Sequence, residues 1–145
     1  MKNLKYVTGA KLKVFIQYDS DLEQTGLILQ KYLNISDFRY EQREEEPYDL
    51  IGYSEIFGFE IELRHVQSID QWQEYPFVLE AFTTDSFQEL FDGNMCDLSL
   101  WMARYLSLCN NVTTIAENPD TKSIQKFYYN NDSLQRESMS IQLNK

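Results

Sequence analysis

The chain offers few side chains that could make or break bonds. It has one histidine, His65, beside Arg64. Imidazole titrates near neutral pH, so His65 could serve as a general base among carboxylates. Its ordinary reading is a surface histidine where a strand ends, and with no second histidine it makes no metal site. The two cysteines, Cys96 and Cys109, fall on one predicted helix. At about 1.5 Å rise per residue they would stand ~20 Å apart, far beyond the ~7 Å that a disulfide spans. Both are expected to be small buried apolar side chains, whereas a reactive thiol needs a polar, accessible setting. No CxxC or HxxxH pair is present, nor a GxSxG elbow or a glycine-rich phosphate loop. No cofactor or metal is expected, and the chain reads as a non-enzyme. Carboxylates are abundant. Glu60 and Glu62 project to one strand face, with Glu80 on a neighbouring strand. Two acids ~5–9 Å apart could hydrolyse a glycoside. Such enzymes are usually larger and supply a deep cleft, so a solvated sheet face is the better reading.

One loop combines charge with aromatic rings. Glu41, Glu44, Glu45, Glu46 and Asp49 alternate with Tyr40, Tyr48 and Tyr53. Tyrosine gives rigid, amphipathic contact area, and carboxylates pair with the Lys and Arg of a basic partner. Asp19, Asp21 and Glu23 can add to the same field. Trp72, in the polar run Asp70-Gln71-Trp72-Gln73-Glu74, is a candidate interface anchor. Trp101 lies among Leu and Met and is expected in the core.

These residues need a scaffold, and the alternation patterns supply it. Phe57, Phe59, Ile61 and Leu63 alternate with Gly58, Glu60, Glu62 and Arg64. That period of two predicts one strand over 55–64 with a buried and a wet face. A first strand is predicted over Leu12–Tyr18, after a flexible lead-in at 1–10. A helix then runs to about Asn34, opened by a capping box of Ser20 and Glu23, with Gly26 allowing close packing. Phe38 to Gln42 reads as a strand ended by Glu44-Glu45-Glu46-Pro47. Phe77 to Thr84 is apolar on both faces and is placed centrally. A short helix over 85–93 and a longer one from Asn94 to Cys109 follow. Val112 to Ala116 reads as a strand, and Asn118-Pro119 as the start of a helix holding Ile124, Phe127 and Tyr128. From residue 130 the periodicity fades into a weakly ordered tail with an edge strand at most. The expected architecture is one α+β domain over 1–145. Its sheet is antiparallel or mixed, of about five strands, with helices packed on it.

Composition narrows the function. Hydrophobic residues are 43% of the 145, which is enough for a core. No apolar run approaches the ~20 residues that span a bilayer, and no apolar stretch follows the N-terminal lysines as in a signal peptide, so a cytoplasmic protein without membrane contact is expected. Net charge is −10. Residues 1–18 hold four lysines and no acid. Residues 19–97 hold nineteen acids against four bases, a net of −15, and residues 98–145 hold a net of +1. Direct nucleic-acid binding is disfavoured, because phosphates require Lys and Arg, while a cationic partner would be steered in.

With the acidic loop and the Phe57–Leu63 strand, the chain resembles the small bacterial immunity proteins that neutralise contact-dependent and other polymorphic toxins. The resemblance lies in size, acidity, aromatic content and α+β pattern, and it transfers no functional residue. It implies a cytoplasmic, non-enzymatic inhibitor of one cognate toxin, often a nuclease, whose phosphate-holding site is commonly basic. The expected contact set is Tyr40, Glu41, Glu44, Glu45, Glu46, Tyr48, Asp49, Tyr53 and Trp72, on a monomer or homodimer. The alternatives are an anti-restriction protein whose carboxylates mimic DNA phosphates, and a small enzyme using His65.

Overall fold

A computed structural model of the chain describes residues 7–44, 49–56, 58–66, 74–83, 94–110, 112–130 and 133–139. Among these, nine strands join one sheet and two helices pack on it. The elements are β1 (Val7–Gln17), α1 (Leu22–Leu33), β2 (Arg39–Gln42), β3 (Leu50–Ile56), β4 (Phe59–His65) and β5 (Phe77–Thr83), then β6 (Asn94–Asp97), α2 (Ser99–Asn110), β7 (Thr113–Glu117), β8 (Ile124–Asn130) and β9 (Ser133–Met139). The spatial order is β2-β3-β4-β5-β1-β7-β8-β9, with β6 beside the start of β1. All pairings are antiparallel except β1 with β6. The α+β class agrees with the sequence reading, but the sheet is far larger than about five strands.

Two helical expectations became strands. Asn94–Asp97 pairs with Val7–Lys11 instead of opening the helix, and Asp97 Oδ1 accepts the Ser99 N–H at 2.9 Å. Cys96 is therefore off the helix and exposed, contrary to expectation. At Asn118 the side chain accepts the N–H groups of Asp120 (2.9 Å) and Thr121 (3.3 Å), making a turn rather than a helix start. Residues 124–130 then return as β8, where Ile124 and Phe127 are buried on opposite faces of the sheet. Within the segments expected as a flexible lead-in and a weakly ordered tail, β1 reaches back to Val7 and β9 covers Ser133–Met139.

The strand expected over 55–64 is in fact a hairpin. Ile56 pairs with Phe59 across a two-residue connection, so alternation runs straight through the turn. Gly58 holds φ +80°, which favours glycine. Phe57 lies outside the described residues, as does the expected helix at 85–93.

One face of the sheet carries both helices. Leu12, Val14 and Ile16, Ile61 and Leu63, and Phe77, Leu79 and Ala81 form its core with Leu22 and Leu29 of α1 and Met102, Ala103 and Leu106 of α2. β5 lies between β4 and β1, central as read. α1 is capped by Asp21, whose carboxylate accepts the Gln24 N–H at 2.8 Å, one residue beyond the expected Ser20. Asn34 closes it in the left-handed conformation. α2 is fixed by a buried polar set: Thr114 Oγ1 donates to the Ala103 carbonyl (2.7 Å), and Ser107 Oγ to the Phe127 carbonyl (3.1 Å). On the second face Tyr75, Ile115 and Ile124 make a smaller core with Phe15 and Met139.

Candidate functional site: an acidic sheet face

Register decides which carboxylates meet. Odd-numbered residues of β2 and β3 share the second face with the even-numbered residues of β4 and β5 and the odd-numbered residues of β1. One row across five strands reads Arg39, Tyr53, Glu62, Glu80, Lys13. The next reads Glu55, Glu60, Phe82, Lys11. Glu55 thus stands directly opposite Glu60, and Glu62 directly opposite Glu80. Like charges so placed oppose folding.

The four carboxylates differ in their partners. Glu80 is supported by Arg64 Nη2 at 3.0 Å and Lys13 Nζ at 3.8 Å. Glu62 has no ion pair within 4.0 Å among the described residues. Partial burial, and then the Glu80 charge, hold its carboxyl above the ordinary glutamate range; Arg43 and Arg64 oppose the shift and Glu60 adds to it. Glu55 and Glu60 are exposed. They line an open groove of about 450 Å³ with Asp37, Arg39, Tyr53 and Ile61. Ser36 closes the β3 edge there, its hydroxyl donating to the Glu55 carbonyl at 3.2 Å.

The expected loop residues divide. Glu41 is exposed on the second face, 3.5 Å from Arg39 through its Oε1. Tyr53 is half-buried between Arg39 and Glu62. Glu44 is exposed, and Asp49 is half-buried where the Arg43 N–H reaches its carbonyl at 3.0 Å. Tyr40 belongs to the helix face. Its ring packs against Phe38 and over Gly26, where an added Cβ would collide with its hydroxyl, and beside Gly52, where an added Cβ would stand 3.0 Å from the ring. Burial, then the Glu23 and Asp21 charges, raise its hydroxyl pKa. Glu45, Glu46, Tyr48 and Trp72 lie outside the described residues. His65 ends β4, exposed, with its ring 5.2 Å from that of Phe77.

Glu55 was not in the expected contact set, and Glu60, Glu62 and Glu80 were read only as a solvated face. Parity along each strand was visible in the sequence. The register that sets Glu55 against Glu60 depended on recognising the turn at Gly58. Comparison of the sequence with models of known protein families and with curated proteins finds no match. Among the described residues no group of three His, Cys, Asp or Glu side chains is arranged to hold a metal ion, and no helix is long and apolar enough to cross a membrane.

Proposed function

We propose that this protein is a non-catalytic inhibitor, an immunity protein that binds and covers a cationic toxin domain of nuclease type through its acidic sheet face. The observation that carries the reading is the pair of opposed carboxylates, Glu55 against Glu60 and Glu62 against Glu80. Like charges set directly opposite are destabilising, and of these four only Glu80 is offset, among the described residues, by ion pairs within 4.0 Å, to Arg64 and Lys13. A sheet face that bears this cost gains by meeting a cation. A lysine or arginine entering the groove beside Tyr53 would pair with Glu55 and Glu60 and relieve Glu62. Glu41 and Tyr53, both on this face, extend the contact toward the loop, and Asp49 and Glu44 border it. Tyr40 supports the site from beneath by holding β2 against α1.

The middle segment's net of −15 would steer a basic domain in, with an on-rate that falls as salt rises. The experiment is to mix the purified chain with the toxin domain encoded beside it. A complex, together with protection of cells making that toxin, is the expected result. Absence of both defeats the reading.

A further inference from the structure

Gln125 of β8 is 6% exposed and lies on the helix side of the sheet, away from the acidic face. Its side chain is fully bonded. Nε2 donates to Ser123 Oγ at 2.9 Å and to Ser138 Oγ at 3.1 Å, and Oε1 accepts from Arg136 Nε at 2.9 Å. A guanidinium only donates, so the amide oxygen must be the atom that faces it. Arg136 stands directly opposite Phe127 across the β8–β9 pair, its Cζ 5.6 Å from the centre of that ring. The arginine is thus held at Nε and against a ring, while the residue as a whole is exposed. Among the described residues its two Nη groups have no hydrogen-bond or ion-pair partner. The chain has 23 acids for 13 bases, yet it places none of them here. Neither α2 nor the helix-side residues of β7, β8 and β9 include a carboxylate, and Glu137, the next residue, falls on the other face. A buried amide that orients a cation without giving it a counter-charge leaves the cation for an outside anion.

We propose that Arg136 and Ser138 form a binding site for a phosphoryl group. The two Nη groups donate to two of its oxygens, in the planar fork that a guanidinium offers. The Ser138 oxygen already accepts from Gln125, so its own proton is left to donate to a third oxygen. A carboxylate has no third oxygen and would leave that hydroxyl unused. The site lies across the sheet from Glu55, Glu60, Glu62 and Glu80, so their repulsion of an anion is weakest there. The inference is independent of the function proposed for that face. Free phosphate and a phosphorylated side chain share this chemistry, and the test separates them.

Heteronuclear NMR on the full chain follows the Arg136 Nε–H and Ser138 backbone N–H signals at constant ionic strength. The probes are inorganic phosphate, a phosphoserine peptide and acetate. Both phosphate probes should shift the two signals saturably, with a dissociation constant on the order of 1 mM for the better one. Acetate should bind about tenfold more weakly or less. A peptide that binds more tightly than inorganic phosphate assigns the site to a phosphorylated partner, and the reverse order assigns it to free phosphate. Gln125→Glu brings a carboxylate to Arg136 and should abolish binding with an unchanged circular-dichroism spectrum. Arg136→Lys keeps the charge but loses the fork, and should weaken binding about tenfold. Absence of a saturable shift at tens of millimolar phosphate overturns the proposal. So does acetate binding as tightly as phosphate, or phosphate binding of wild-type strength in either variant.

Discussion

Glu62 is the side chain whose state reports on the acidic face. Its folded-state pKa is raised by burial and by Glu80, so ionising it is harder in the folded chain than in the unfolded one. The contribution of Glu62 to stability is therefore greatest below the ordinary value of 4.5 and declines as pH rises through the raised one. Glu62→Gln removes that decline. The variant should exceed wild type at pH 7 by on the order of half a kcal/mol, since the site is only partly screened from solvent. The difference should vanish toward pH 4. Urea midpoints across this pH range check it, and a variant less stable than wild type at pH 7 would contradict the assignment. Gly58 is constrained differently. Nothing lies within 4 Å of a Cβ built there, so the penalty for Gly58→Ala is the positive φ alone, about 1–2 kcal/mol of stability. At Gly26 the backbone is helical and alanine would ordinarily gain about 1 kcal/mol. Here its Cβ runs into the Tyr40 hydroxyl, and Phe38 Cδ2 is 3.2 Å away. Gly26→Ala should instead lose about 1 kcal/mol net. Adding Tyr40→Phe should restore part of that loss, which a double-mutant cycle measures.

At the scale of elements, the legible features were those with a local cause. The β5 strand is apolar on both faces because it lies between β4 and β1, and Phe77 to Ala81 say so directly. The end of α1 at Asn34 and the close approach at Gly26 were readable for similar reasons. The errors have a common physical origin in pairing at a distance. Asn94–Asp97 is a strand because β1 lies beside it, and nothing in Asn94-Met95-Cys96-Asp97 declares that neighbour. The segment 124–130 satisfies helical and strand spacing alike, and the sheet wins by pairing it with both β7 and β9. Trp101, expected in the core, is exposed because the inward stripe of α2 is filled by smaller residues, among them Ala103 and Ser107. The candidate site was half visible. Its acids could be counted and assigned to faces, but Glu55 entered only when Gly58 turned one long alternation into two strands.

For the whole molecule, the two faces of the sheet differ in what they carry. One is buried under α1 and α2 and holds the larger of the two cores. The other gathers Glu41, Glu55, Glu60, Glu62 and Glu80 around Tyr53, with Arg39, Arg43, Arg64 and Lys13 among the nearby cations. Stability and binding should therefore respond in opposite directions to loss of charge on that face. The most direct measurement is calorimetric titration of the toxin domain proposed as partner into the triple variant Glu55→Gln, Glu60→Gln, Glu62→Gln, beside its urea midpoint. The account predicts a chain at least as stable as wild type whose affinity has dropped at least tenfold. Wild-type affinity in that variant would contradict it.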